Sequence, residues 1–141
     1  FKVRICDSPK HVTDTCNLII TTTAATEPIL FADDIQPGTH ITAMGSDTPA
    51  KQELDPNIME KADCVVADSI SQCIERGEIS HALKNGKLTK NNIIELGHVM
   101  NSQHPGRTAQ DQITVADLTG VAVQDIQIAT AVYESFMENE S

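Results

Sequence analysis

Asp47 and Lys51 are the pair of residues in this chain whose types and spacing most readily do chemistry. They lie in the run Met44-Gly-Ser-Asp-Thr-Pro-Ala-Lys-Gln-Glu-Leu-Asp-Pro56, between a strand-like Thr39-His-Ile-Thr-Ala43 and a helix-like Pro56-Asn-Ile-Met-Glu-Lys-Ala62. A carboxylate in such a loop can trade protons with a substrate, and a nearby ammonium can hold a phosphate or carboxylate as a point charge. Gly45 supplies a permissive backbone just past the strand end, and Pro49 stiffens the middle of the loop. In an open α/β sheet, ligands bind at the carboxyl ends of the strands, where this loop would sit. The same residues also suit a solvated loop in which Asp47 only caps a turn.

Two more polar segments end apolar runs. Thr21-Thr-Thr23 closes a strand-like stretch, and its small hydroxyl residues would let a flat or phosphorylated ligand approach the backbone; the strand propensity of threonine explains the run equally well. Asp117-Leu-Thr-Gly120 follows a third strand. If the strands are parallel neighbours, all three segments converge on one edge, a stronger functional signal than any of them alone. Pro105-Gly-Arg107 could set an arginine over an anion or be an ordinary exposed loop, and Asp33-Asp34 reads as a solvated turn.

The elements that must position these residues alternate between short apolar strands and helical patterns, the signature of an α/β fold with a mostly parallel sheet flanked by helices. Strands are expected at Lys2–Cys6, Asn17–Thr22, Thr39–Met44, Asp63–Ala67 and Gln112–Ala116. Ser8-Pro9 opens a short helix, a helical turn covers Ile29 to Ile35, and Asp55-Pro56 starts another helix. Ser71 to Leu83 reads as helix that Gly77 can break in two. Thr89 is expected to cap a helix with Ile93, Ile94, Leu96 and Val99 on its apolar side. A long C-terminal helix runs from about Val121 to Glu138, with Ala122, Ile126, Ala129, Val132, Tyr133 and Phe136 forming a face meant for burial.

Composition narrows the function classes. A net charge of -10 leaves no basic patch for nucleic acid. No apolar run reaches membrane-spanning length, and an apolar share of 40% suits a soluble globule. Cys6, Cys16, Cys64 and Cys73 show no C-x-x-C spacing, and the five histidines form no ligand pair, so no metal site is expected. The first three of these cysteines lie in or beside strand-like runs, as buried free thiols do, and a reducing cytoplasmic setting is expected. No cysteine has an adjacent histidine to activate it as a nucleophile. Phe1 in place of an initiator methionine leads us to expect a piece cut from a longer chain.

At these residues the chain resembles the ornithine cyclodeaminase and mu-crystallin family. The likeness is collinear: Thr21-Thr-Thr23 with Glu27-Pro28, Pro37-Gly-Thr-His40, Gly45-Ser-Asp-Thr-Pro-Ala-Lys-Gln-Glu-Leu-Asp-Pro56 and Ala62-Asp-Cys-Val-Val-Ala-Asp68. It continues through Glu95-Leu-Gly97, Pro105-Gly-Arg107, Asp111-Gln-Ile-Thr114 and Asp117-Leu-Thr-Gly-Val-Ala-Val-Gln-Asp125. The resemblance implies a Rossmann-type dinucleotide domain, here incomplete and filling residues 1–141, with an exit helix from about 121. It implies NAD as cofactor, NADP being the alternative, an amino acid as small-molecule substrate, and a homodimer or higher homo-oligomer with no nucleic-acid or membrane partner.

The activity implied is that of an NAD-dependent amino-acid-converting enzyme. Its leading form is ornithine cyclodeaminase: a hydride leaves the α-carbon, the side-chain amine closes on the resulting imine, ammonia departs and the hydride returns to give proline. Amino-acid dehydrogenases, ketimine reductases, ectoine-breakdown proteins and non-catalytic mu-crystallin-like binding proteins are the alternatives. Asp47 matches the family's proton-shuttling aspartate. Thr21, Thr22, Thr23, Gly45, Lys51 and Thr119 fall at its cofactor contacts. Two departures stand out: the G-x-G-x-x-A/G fingerprint is missing, and Leu118 occupies a position where many members have serine.

Overall fold

The computed structural model describes residues 2–139. Five strands form one sheet: β1 (Leu18–Thr21), β2 (His40–Ala43), β3 (Cys64–Ala67), β4 (Ile93–Glu95) and β5 (Thr114–Asp117). Their spatial order is β1-β2-β5-β3-β4, and every pairing is parallel. The expected α/β architecture, Rossmann-like with a long last helix, is therefore what the chain adopts. Six α-helices accompany the sheet among the described residues: α1 (Pro9–Thr15), α2 (Asn57–Lys61), α3 (Ile70–Cys73), α4 (Glu78–Lys84), α5 (Leu96–Met100) and α6 (Ala122–Asn139).

Strand order dictates which face each helix covers. The steps from β2 to β3 and from β3 to β4 run in one direction across the sheet, and the step from β4 to β5 runs back. Right-handed crossovers then put α2, α3 and α4 on one face and α5 on the other. Burial agrees. Ile19, Ile41, Val65 and Val115 point into a core shared with Ile58, Met59, Cys73, Ile79 and Ala82. The opposite face is partly open, with Leu18 and Ile20 63% and 59% exposed.

Local signals hold at the starts of α1 and α2. Ser8 accepts the His11 N–H ahead of α1 with Pro9 in the first turn, and Asp55 accepts the Asn57 N–H at the start of α2. Gly77, at φ +87°, separates α3 from α4. Arg107 is engaged by oxygens of the chain itself. Its guanidinium donates to the carbonyls of Gly38 and Thr39, each at 3.0 Å, and to Thr114 Oγ1 at 3.1 Å, tying together the amino ends of β2 and β5.

Three expectations are corrected. Lys2 to Cys6 form no strand: Val3 and Ile5 alternate as a strand would, but no neighbouring strand pairs with them and they stay exposed. The expected helix from Thr89 is a 3-10 turn, then β4, then α5, because Ile93 and Ile94 pair with Val65 and Val66. Cys16 is exposed and Cys6 half-buried, whereas Cys64 and Cys73 are buried. Along α6, by contrast, the apolar face stands uncovered as expected for this chain by itself, with Ile126, Val132, Tyr133 and Phe136 all exposed.

Candidate functional site at the carboxyl edge of the sheet

The register places Thr21, Ala43 and Asp117 side by side, so the segments that follow β1, β2 and β5 do converge on one edge. Asp47 is exposed in the loop after β2, and its Oδ1 lies 2.7 Å from Lys51 Nζ. The hydrogen bond from Lys51, with its charge and a smaller effect of Arg76, holds the Asp47 carboxyl below the ordinary carboxylate range. Arg76 Nε is buried without a hydrogen-bond partner among the described residues.

The loop is held from beneath. Lys51 N–H donates to Thr48 O at 3.1 Å, closing a turn around Pro49. Ser46 Oγ donates to Lys51 O at 2.6 Å, and His81 Nε2, on α4, lies 2.8 Å from the same carbonyl. A carbonyl only accepts, so His81 carries its proton on Nε2.

A buried glutamate that the sequence did not single out closes the edge. Glu53 is 0% exposed. Its Oε2 accepts Thr21 Oγ1 at 2.5 Å and Gly45 N–H at 2.9 Å; its Oε1 accepts Thr23 N–H at 2.5 Å and Thr23 Oγ1 at 2.7 Å. A Cβ on Gly45 would collide with the Thr23 carbonyl oxygen and the Glu53 carboxylate, so only glycine fits. Thr21 and Thr23 therefore turn their hydroxyls inward, while Thr22 is exposed at the edge.

Two further buried acids stand behind Glu53. Glu78, the first residue of α4, accepts the N–H groups of Glu53 at 2.7 Å and Leu54 at 3.0 Å. Asp117 accepts the Ile79 N–H at 2.8 Å, capping α4 from the end of β5 where Gly77 has no side chain to do so. Burial pushes both carboxyls up to about 7. Asp68 accepts Thr119 Oγ1 at 3.2 Å and Gly120 N–H at 2.8 Å, so the Thr119 hydroxyl is engaged inward as well. Cys73 sits against these acids, and burial with Asp117 and Asp68 raises its thiol to about 12, leaving it inert.

No run in the sequence announces Glu53, Glu78 or His81, since all their side-chain partners but Gly45 lie 24 to 32 residues away. The only local hint is Glu53 next to the buried Leu54, which bridges to Leu30.

With this geometry established, likeness to known proteins is informative. The family model of the ornithine cyclodeaminase/mu-crystallin family matches residues 1–140. The chain belongs to that family. It is 40% identical over 142 residues to an uncharacterised cyclodeaminase of Sinorhizobium fredii, covering 100% of this chain and 43% of that one. An archaeal alanine dehydrogenase dimer with bound NAD superposes with a TM-score of 0.83 at 36% identity, covering 89% of this chain and 39% of the neighbour. The Delta(1)-pyrroline-2-carboxylate reductase of Thermococcus litoralis, in complex with NADH and L-proline, superposes with a TM-score of 0.88 at 26% identity, covering 96% and 42%. This family member thus spans roughly two fifths of the length of these relatives.

Residues on the edge fit one part of a dinucleotide. Thr22 and Gly120 lie exposed there, which leaves their backbone approachable. The pyrophosphate fingerprint is not among them.

Proposed function

We propose that this chain forms the strand-end part of an NAD-dependent site that converts an amino acid to or from its imine, with Asp47 moving the proton at the substrate nitrogen. The observation that carries this is the Asp47–Lys51 pair standing over the carboxyl edge between β1 and β5. The bound nicotinamide would supply hydride transfer. Thr22, Gly45, Lys51 and Gly120 would line its approach, Lys51 keeping Asp47 ionised and aimed. Thr21, Thr23 and Thr119 hold the edge in shape through Glu53 and Asp68. An ionised Asp47 accepts a proton from a substrate ammonium when it lies within hydrogen-bond reach of it.

The finer assignment we favour is ornithine cyclodeaminase, with amino-acid dehydrogenase or imine reductase as the alternative supported by the NAD-bound relatives. A cyclodeaminase returns its hydride and a dehydrogenase does not. Ammonia release from ornithine without NADH build-up identifies the first, and stoichiometric NADH the second. In the protein carrying this chain, Asp47→Asn is expected to lower kcat by about 10²–10⁴-fold while NAD affinity stays within about twofold. Equal turnover in the variant removes Asp47 from the mechanism.

A further inference from the structure

Asp47 and Lys51 are surface residues on a loop, yet proton transfer needs them held to within a fraction of an ångström. The hydrogen bonds beneath them form one continuous path. Asp117, at the end of β5, fixes the first turn of α4 through the Ile79 N–H. Glu78, on that same turn, grips the backbone N–H groups of Glu53 and Leu54. The Glu53 carboxylate in turn binds Thr21 at the end of β1, Thr23 just after it and Gly45 after β2. Gly45 is two residues from Asp47. Thus three strand ends and the chemical loop are joined through three buried carboxylates, Asp117, Glu78 and Glu53.

We infer that Glu53 and Glu78 are positioning residues of this site, a stacked pair of buried carboxylates that fixes the 44–52 loop, and with it the Asp47–Lys51 pair, against β1 and β5. Their role rests on the proton transfer proposed for Asp47. Chemistry sets the choice of residue. Every group around Glu53 is a donor, two to each oxygen, so an amide there would turn its own NH2 against N–H or O–H. The same holds for Glu78, whose two oxygens each meet one backbone N–H. An apolar side chain would leave those donors unpaired, and a shorter carboxylate would not reach across from β1 to β2.

The test is Glu78→Gln, read by amide hydrogen exchange, by the titration of Asp47 followed through its carboxyl carbon, and by steady-state kinetics in the protein carrying this chain. Exchange in residues 44–55 is expected to rise about tenfold or more. The Asp47 carboxyl should move up towards its ordinary value as Lys51 loses its place. Turnover should fall about tenfold in kcat with KM little changed, and Glu78→Asp should recover less than half of the loss. Unchanged exchange and an unchanged Asp47 titration would overturn the inference. Faster exchange and a shifted Asp47, with turnover indifferent to both Glu78→Gln and Asp47→Asn, would uphold the positioning role and refute the role of Asp47. Should Glu78→Gln not fold, native-state exchange of the unmutated protein decides: the amides of Thr23, Gly45, Glu53 and Leu54 must open together. Independent opening of Gly45 contradicts a single joined unit.

Discussion

Gly45 shows most clearly how the site is built at the scale of single residues. Its amide donates to Glu53 while its missing Cβ lets Thr23 and the carboxylate close in. Gly45→Ala should therefore destabilise the protein by about 1–3 kcal/mol, seen as a Tm lower by several degrees; an unchanged Tm would show that the edge can relax around a methyl group. Asp47, Lys51, Gly45 and the threonines were legible in the sequence because loops after strands advertise their polar residues. Glu53 and Glu78 were not. A glutamate in a polar run looks solvated until the fold brings donors from 24 or more residues away onto it.

Elements that carry strong local signals behave as read. The apolar, β-branched runs of β1, β2, β3 and β5 and the caps of α1 and α2 agree with their patterns. At β4 the spacing of Ile93, Ile94, Leu96 and Val99 fits a helix as well as a strand followed by a helix, and only pairing with β3 decides it. Lys2 to Cys6 show the converse: a strand pattern with no partner remains extended coil. The acids at the first turn of α4 also give the domain a pH signature. Burial raises Glu78 and Asp117 to about 7. A raised folded-state value means the native state takes up protons, so this contribution to stability is full below the ordinary carboxyl values and is lost as pH rises through about 7. Scanning calorimetry should show Tm falling between pH 5.5 and 8, with a shallower fall in Glu78→Gln. A Tm that rises across that window, or a slope untouched by the substitution, would contradict the upward shift of these acids.

For the whole molecule, parallel order and crossover handedness account for one closed face and one partly open face of the sheet. The open face leaves Leu18 and Ile20 exposed, and α6 presents Ile126, Val132, Tyr133 and Phe136 outward. Among the described residues, no helix is long and apolar enough to cross a membrane. We expect the isolated chain to self-associate through these surfaces. Light scattering should give a particle heavier than the 15.3 kDa monomer, reduced in mass by Val132→Ser with Phe136→Ser; a strictly monomeric native chain would refute this. The apolar face of α6 was legible in its spacing, but what covers it was not, since helical periodicity specifies a face and not a partner.

The most direct test of the account is to map NADH binding by amide chemical shifts in the protein carrying this chain. The carboxyl-edge site predicts that Thr22, Gly45, Asp47, Lys51 and Gly120 shift on titration while Gly38, Arg107 and Gln110, at the amino ends of the strands, do not. Shifts confined to Gly38, Arg107 and Gln110, with the edge silent, would contradict it.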